Sequence, residues 1–72
     1  MQTVVEVLGE QGVEAFQVEE DGFVSVEVPC GKDGHRDCHE LIVDIEAWLT
    51  AKGLPFVPEE IDGRILIRPP AS

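Results

Sequence analysis

Two stretches of this chain read alike: GVEAFQVEEDGFVSVEVP over 12–29 and GLPFVPEEIDGRILIRPP over 53–70. Each runs from a glycine through a short apolar stretch and a pair of acids to Asp-Gly, then through an alternating segment to proline, at a constant offset of 41. Upstream the correspondence continues, with Val4, Val7 and Leu8 opposite Ile45, Trp48 and Leu49, each set at helical spacing ahead of the shared glycine. Whatever one copy folds into, the other must tolerate as well. The expected unit is helix, strand, strand, run through twice.

Each Asp-Gly, at Asp21-Gly22 and Asp62-Gly63, supplies the positive backbone angles of a tight hairpin turn between strand-like segments. In the second strand of each hairpin, Val24, Val26 and Val28, or Ile65 and Ile67, alternate with Ser25, Glu27, Arg64 and Arg68. One face is therefore core and the other wet. Phe16 and Val18 are expected to extend the inner face on the first hairpin. Pro55 and Pro58 remove backbone donors from the third strand and suit a sheet edge.

The second helix has a cap at Asp37, an apolar stripe of Cys38, Leu41, Ile42, Ile45, Trp48 and Leu49, and a stop at Gly53. The first has capping-box spacing between Thr3 and Glu6, but Val4, Val5 and Val7 are β-branched and Gly9 weakens the run, leaving a strand as the alternative. The predicted fold is α+β: a two-layer αββαββ tandem repeat with a four-stranded, mainly antiparallel sheet and two helices on one face. At 72 residues there is room for one domain, with repeat one at 3–29, a connecting loop at 30–36 and repeat two at 37–70. A chain this short buries only about 60% of its unfolded surface, so a large enclosed active site is not expected.

Five basic and fifteen acidic side chains give a formal net charge of −10, which repels phosphate backbones and anionic membranes and argues against nucleic acid as a partner. The charge is uneven. Residues 1–29 carry seven acids and no base, while all five bases lie between 30 and 72. No apolar run approaches a membrane-spanning length, and MQTVVEVLGE lacks the pattern of a signal peptide, so the expected location is cytoplasmic. In that compartment Cys30 and Cys38 are expected as free thiols or metal ligands rather than as a disulfide.

Between the two copies lies PCGKDGHRDCHE, residues 29–40. A connection must run there in any case, with Gly31 and Gly34 as turn residues and Cys38 as a small apolar side chain on the buried stripe. A sharper reading is metal: Cys30, His35, Cys38 and His39 offer two thiolates and two imidazoles, suited to tetrahedral zinc or to a cluster completed by a partner. The spacing is not that of a zinc finger, and Cys38 and His39, adjacent on a helix, point about 100° apart, so three ligands are the practical limit. A third reading is an anion or partner loop of Gly31, Lys32, Gly34 and Arg36 at a helix N-terminus, where an exposed Cys38 would also be a reactive thiol.

With the copies aligned, VEEDGFVSVEVPC followed by ELIVDIEAWL resembles the C-terminal domain of NifU-type iron–sulfur scaffold proteins over roughly residues 3–50. The likeness lies in the helix, the Asp-Gly hairpin, the cysteine-bearing loop and a helix carrying Ile45, Glu46 and Leu49. It implies the same fold pattern and, for those proteins, cluster carriage through Cys-x-x-Cys. Here Cys30 sits at the position of the first such cysteine, and Cys38 follows after seven intervening residues instead of two.

No nucleophile triad, phosphate loop or dinucleotide fingerprint is present, so an enzyme is not expected. The expected function is a small acidic protein-interaction or regulatory module that binds a protein partner, a basic one for preference, or pairs with a second copy. Its partner face would be Phe23, Ser25 and Glu27 from one hairpin with Arg64, Leu66 and Arg68 from the other, although Glu27 could instead satisfy an arginine within the chain. The alternative is a metal or iron–sulfur accessory domain using the Cys30/His35/Cys38 loop, with zinc or a cluster as cofactor.

Overall fold

The computed structural model describes residues 2–32 and 35–70. The elements follow in the order α1 (Gln2–Glu10), β1 (Phe16–Glu20), β2 (Phe23–Pro29), α2 (Cys38–Ala51), β3 (Val57–Ile61) and β4 (Arg64–Arg68). The β-branched residues of the N-terminal segment are thus helical. Burying Val4, Val7 and Leu8 on one stripe outweighs a propensity cost of a few tenths of a kcal/mol per residue.

The strands form one antiparallel sheet in the order β1-β2-β4-β3. Both hairpins close on left-handed pairs, Asp21 and Gly22 at φ 51° and 79°, Asp62 and Gly63 at 52° and 76°. Their registers match: Phe16 faces Glu27 in the first, and Val57 faces Arg68 in the second, 41 positions on at both ends. At the centre Val26 pairs with Ile67, again 41 apart, so equivalent positions of the two hairpins meet in the middle of the sheet. The helix ends agree as well. Leu8 O accepts from Gln11 and Val13 N–H, and Leu49 O accepts from Lys52 and Leu54 N–H.

Both helices lie on one face of the sheet. Val4, Leu8, Leu41, Ile45 and Leu49 meet Val26, Val28, Ile65 and Ile67 in a single core with Cys30 and Cys38 at one end. Asp37 caps α2 by accepting from the N–H groups of His39 at 3.1 Å and Glu40 at 3.2 Å. The β3 strand takes the sheet edge that its prolines suit, with Pro58 buried opposite Ile67.

One expectation is corrected. Phe16 and Val18 pair with Glu27 and Ser25, so they share the outer face with those polar residues and not the inner face with Val26. In a two-stranded ladder, residues directly opposite share a face. The pleat places Gln17 on the helix side of the sheet, where it stays exposed and its side-chain amide donates to Gln2 of α1 at 2.9 Å.

Candidate functional site

Two regions hold the residues singled out in the sequence: the outer face of the sheet and the loop from β2 to α2. On the outer face the register brings together Phe16, Val18, Phe23, Ser25 and Glu27 from the first hairpin with Val57, Glu59, Ile61, Arg64, Leu66 and Arg68 from the second. The six expected partner-face residues do share this face. They do not make an apolar-centred patch, however, because Leu66 is only 3% exposed. It stands between Glu27 on β2 and Glu59 on β4's other neighbour β3. Two diagonal ion pairs, Glu27 with Arg64 and Glu59 with Arg68 (3.4 Å), flank it and keep water off it with their aliphatic stems.

Accessible apolar surface on this face lies at its sides. Phe23 is 71% exposed, Phe16 48% and Val57 48%. The two aromatics belong to the first hairpin, whose charged side chains are all acidic. Phe16 went unrecognised as a surface residue because strand alternation can be counted in either phase, and only the pairing with Glu27 fixes it.

In the loop, Cys30 follows β2 directly and Cys38 opens α2, with their Cα atoms 5.0 Å apart and their sulfurs joined in a disulfide. The expected free thiols are therefore not found. The chain turns back at Gly31 (φ 76°) and delivers the start of α2 onto the end of β2, so the two sulfurs meet in the core. Cys30 is 3% and Cys38 7% exposed.

The four candidate metal donors do not converge. Both sulfurs are spent on each other, His39 reaches Glu60 at 3.0 Å, and His35 lines a separate hollow with Gly12, Glu14 and Leu41. Iron–sulfur or zinc ligation needs thiolates facing one point, so in this arrangement the residues do not fit such a centre.

The expected anion loop is largely satisfied within itself. Gly31 N–H donates to Arg36 O at 2.7 Å, His35 N–H donates to Lys32 O at 3.0 Å, and the Arg36 guanidinium pairs with Asp44. Gly34 lies outside the described residues. What remains open is a cavity of about 200 Å³ beside the disulfide, lined by Lys32, Asp37, His39, Glu60 and Gly63 as well as Cys30, Gly31 and Cys38.

No family model, curated protein or solved structure matches this chain. Among the described residues no helix is long and apolar enough to cross a membrane.

Proposed function

We propose that this chain is a small, acidic, non-catalytic interaction module, built from a duplicated helix–strand–strand unit, whose first hairpin docks on a basic protein partner. The observation that carries the reading is the pair of phenylalanines left in water on one face of that hairpin, Phe23 at 71% and Phe16 at 48% exposure. Full burial of such a side chain is worth roughly 1.5–3 kcal/mol, of which a covering partner recovers the part still exposed, the larger share at Phe23 and about half at Phe16.

Charge selects the occupant. The hairpin carries Asp21 at its turn and Glu19 on its other face, Glu27 is engaged by Arg64, and the first 29 residues hold no base. A second copy would bring two chains of net charge −10 together, whereas a basic surface is attracted from a distance and docks faster. Apolar contact then supplies the residence time and charge the selectivity.

The test uses immobilised wild-type protein and a Phe16→Thr/Phe23→Thr variant as baits, with elution by salt. The reading expects a basic protein held by the wild type, lost from the variant, and released as ionic strength rises from about 50 to 300 mM, where the screening length falls below about 6 Å. Retention indifferent to both the substitution and the salt would contradict it. Self-association removed by the same substitution would replace the basic partner with a second copy.

A further inference from the structure

We propose that the Cys30–Cys38 disulfide is a redox-active couple that exchanges with dithiols entering through the adjoining cavity, with Cys38 as the sulfur attacked. Nothing in the interaction reading requires this, and it stands on a different part of the molecule. Four observations carry it.

First, the disulfide borders a hollow. Cys30 and Cys38, both buried, are among the residues lining the cavity of about 200 Å³, together with Gly31, Lys32, Asp37, His39, Glu60 and Gly63. Such a hollow gives a small thiol a route to the bridge. A bridge serving only to hold the fold together needs no such access.

Second, one residue sits against the sulfur. Gly31 has φ 76°, and a Cβ built on it would lie 3.2 Å from Cys38 Sγ, tighter than ordinary contact. A side chain at Gly31 would crowd that sulfur and anything approaching it, and Cys38 is the slightly less buried residue of the two, at 7% against 3%.

Third, an acceptor for the reduced form is already in place. Cys30 Sγ lies 3.7 Å from Gly63 O, within reach of a thiol S–H donor. A disulfide sulfur carries no proton, so this contact becomes a hydrogen bond only after reduction.

Fourth, the loop is closed without the sulfur bridge. The Gly31 N–H to Arg36 O bond, the His35 N–H to Lys32 O bond and the Arg36–Asp44 pair tie together the described residues on either side of 33–34, and Asp37 caps α2 independently. Opening the bridge is therefore expected to leave its two ends close to where they are. This is the condition for reversible exchange.

One thiolate of a dithiol attacks Cys38 Sγ, forming a mixed disulfide and expelling Cys30 as a thiolate, which takes a proton from water and as a thiol donates a hydrogen bond to Gly63 O. The second thiol of the dithiol, as thiolate, attacks the sulfur of its own molecule in the mixed disulfide and releases Cys38 as a thiolate, which also takes a proton from water. Two electrons and two protons pass to the protein, and the dithiol leaves as its cyclic disulfide.

Dithiothreitol serves as the probe, with thiol-reactive mass tagging after timed quenching. If the adjoining hollow gives a dithiol its route to the buried bridge, native protein is expected to be reduced at a rate within about tenfold of the same protein in urea and to keep its far-ultraviolet circular dichroism. Gly31→Ala is expected to slow reduction of the native protein by about tenfold or more while leaving the rate in urea unchanged. Wild-type protein whose disulfide resists dithiothreitol until urea unfolds it, or whose fold is lost as it is reduced, overturns the proposal. The wild-type comparison decides the matter even if the alanine variant does not fold.

Discussion

The two hairpins share turn type and strand register, yet their outer faces are opposites. Position for position, Phe16, Phe23, Ser25 and Glu27 of the first stand where Val57, Arg64, Leu66 and Arg68 stand in the second. The second hairpin shields its large aliphatic, Leu66, beneath two ion pairs that involve both of its arginines. The first has no base to do this and leaves two aromatics in water. The difference teaches that one backbone plan accommodates both a self-satisfied surface and an unsatisfied one. Inner-face residues set the plan, and outer-face residues set what the surface can do.

The comparison can be broken first at what the halves share. Val26 and Ile67 pair at the centre and are both fully buried, so Ile67→Ala should cost about 2–5 kcal/mol in urea unfolding and Val26→Ala somewhat less. A near-neutral result at either site would mean that the halves do not share one interior. Next in size is the bridge between them: Cys30→Ala/Cys38→Ala should cost about 2–3 kcal/mol, the loop-closure entropy of so short a ring. Circular dichroism of the variant should still show both helices and the sheet.

Smaller effects sharpen the comparison. Gly12 and Gly53 end the two helices at φ 76° and 68°, and a Cβ at either would meet nothing within 4 Å. Gly12→Ala and Gly53→Ala should therefore cost the same, about 1–2 kcal/mol for a left-handed residue with no steric term. Unequal costs would show that the matching helix ends differ energetically. Smallest of all is the surface charge. Arg68→Gln should cost less than about 1 kcal/mol, since both it and Glu59 are about half exposed, and the loss should shrink further in high salt.

Much of this architecture was legible in the sequence because it rests on local signals. Asp-Gly can form few turns other than the hairpin kind, Asp37 ahead of an apolar stripe marks a helix start, and Pro58 excludes an interior strand. The face taken by Phe16 was not legible, since strand phase follows from pairing and not from composition. Nor was the shielding of Leu66, which needs the register of three strands before Glu27, Glu59 and the arginines are seen to surround it. The disulfide was missed for a different reason. Cysteine spacing carries no distance, and the compartment argument overrode a loop whose Gly31 turns the chain back on itself.

The contrast between a surface built for contact and one built for folding is tested most directly by measuring the unfolding free energies of Phe23→Thr and Leu66→Thr, which keep strand propensity while removing apolar bulk from opposite halves of the outer face. The account predicts that Phe23→Thr stays within about 0.5 kcal/mol of the wild type and that Leu66→Thr loses about 2 kcal/mol or more. Equal losses, or the larger loss at Phe23, would contradict it.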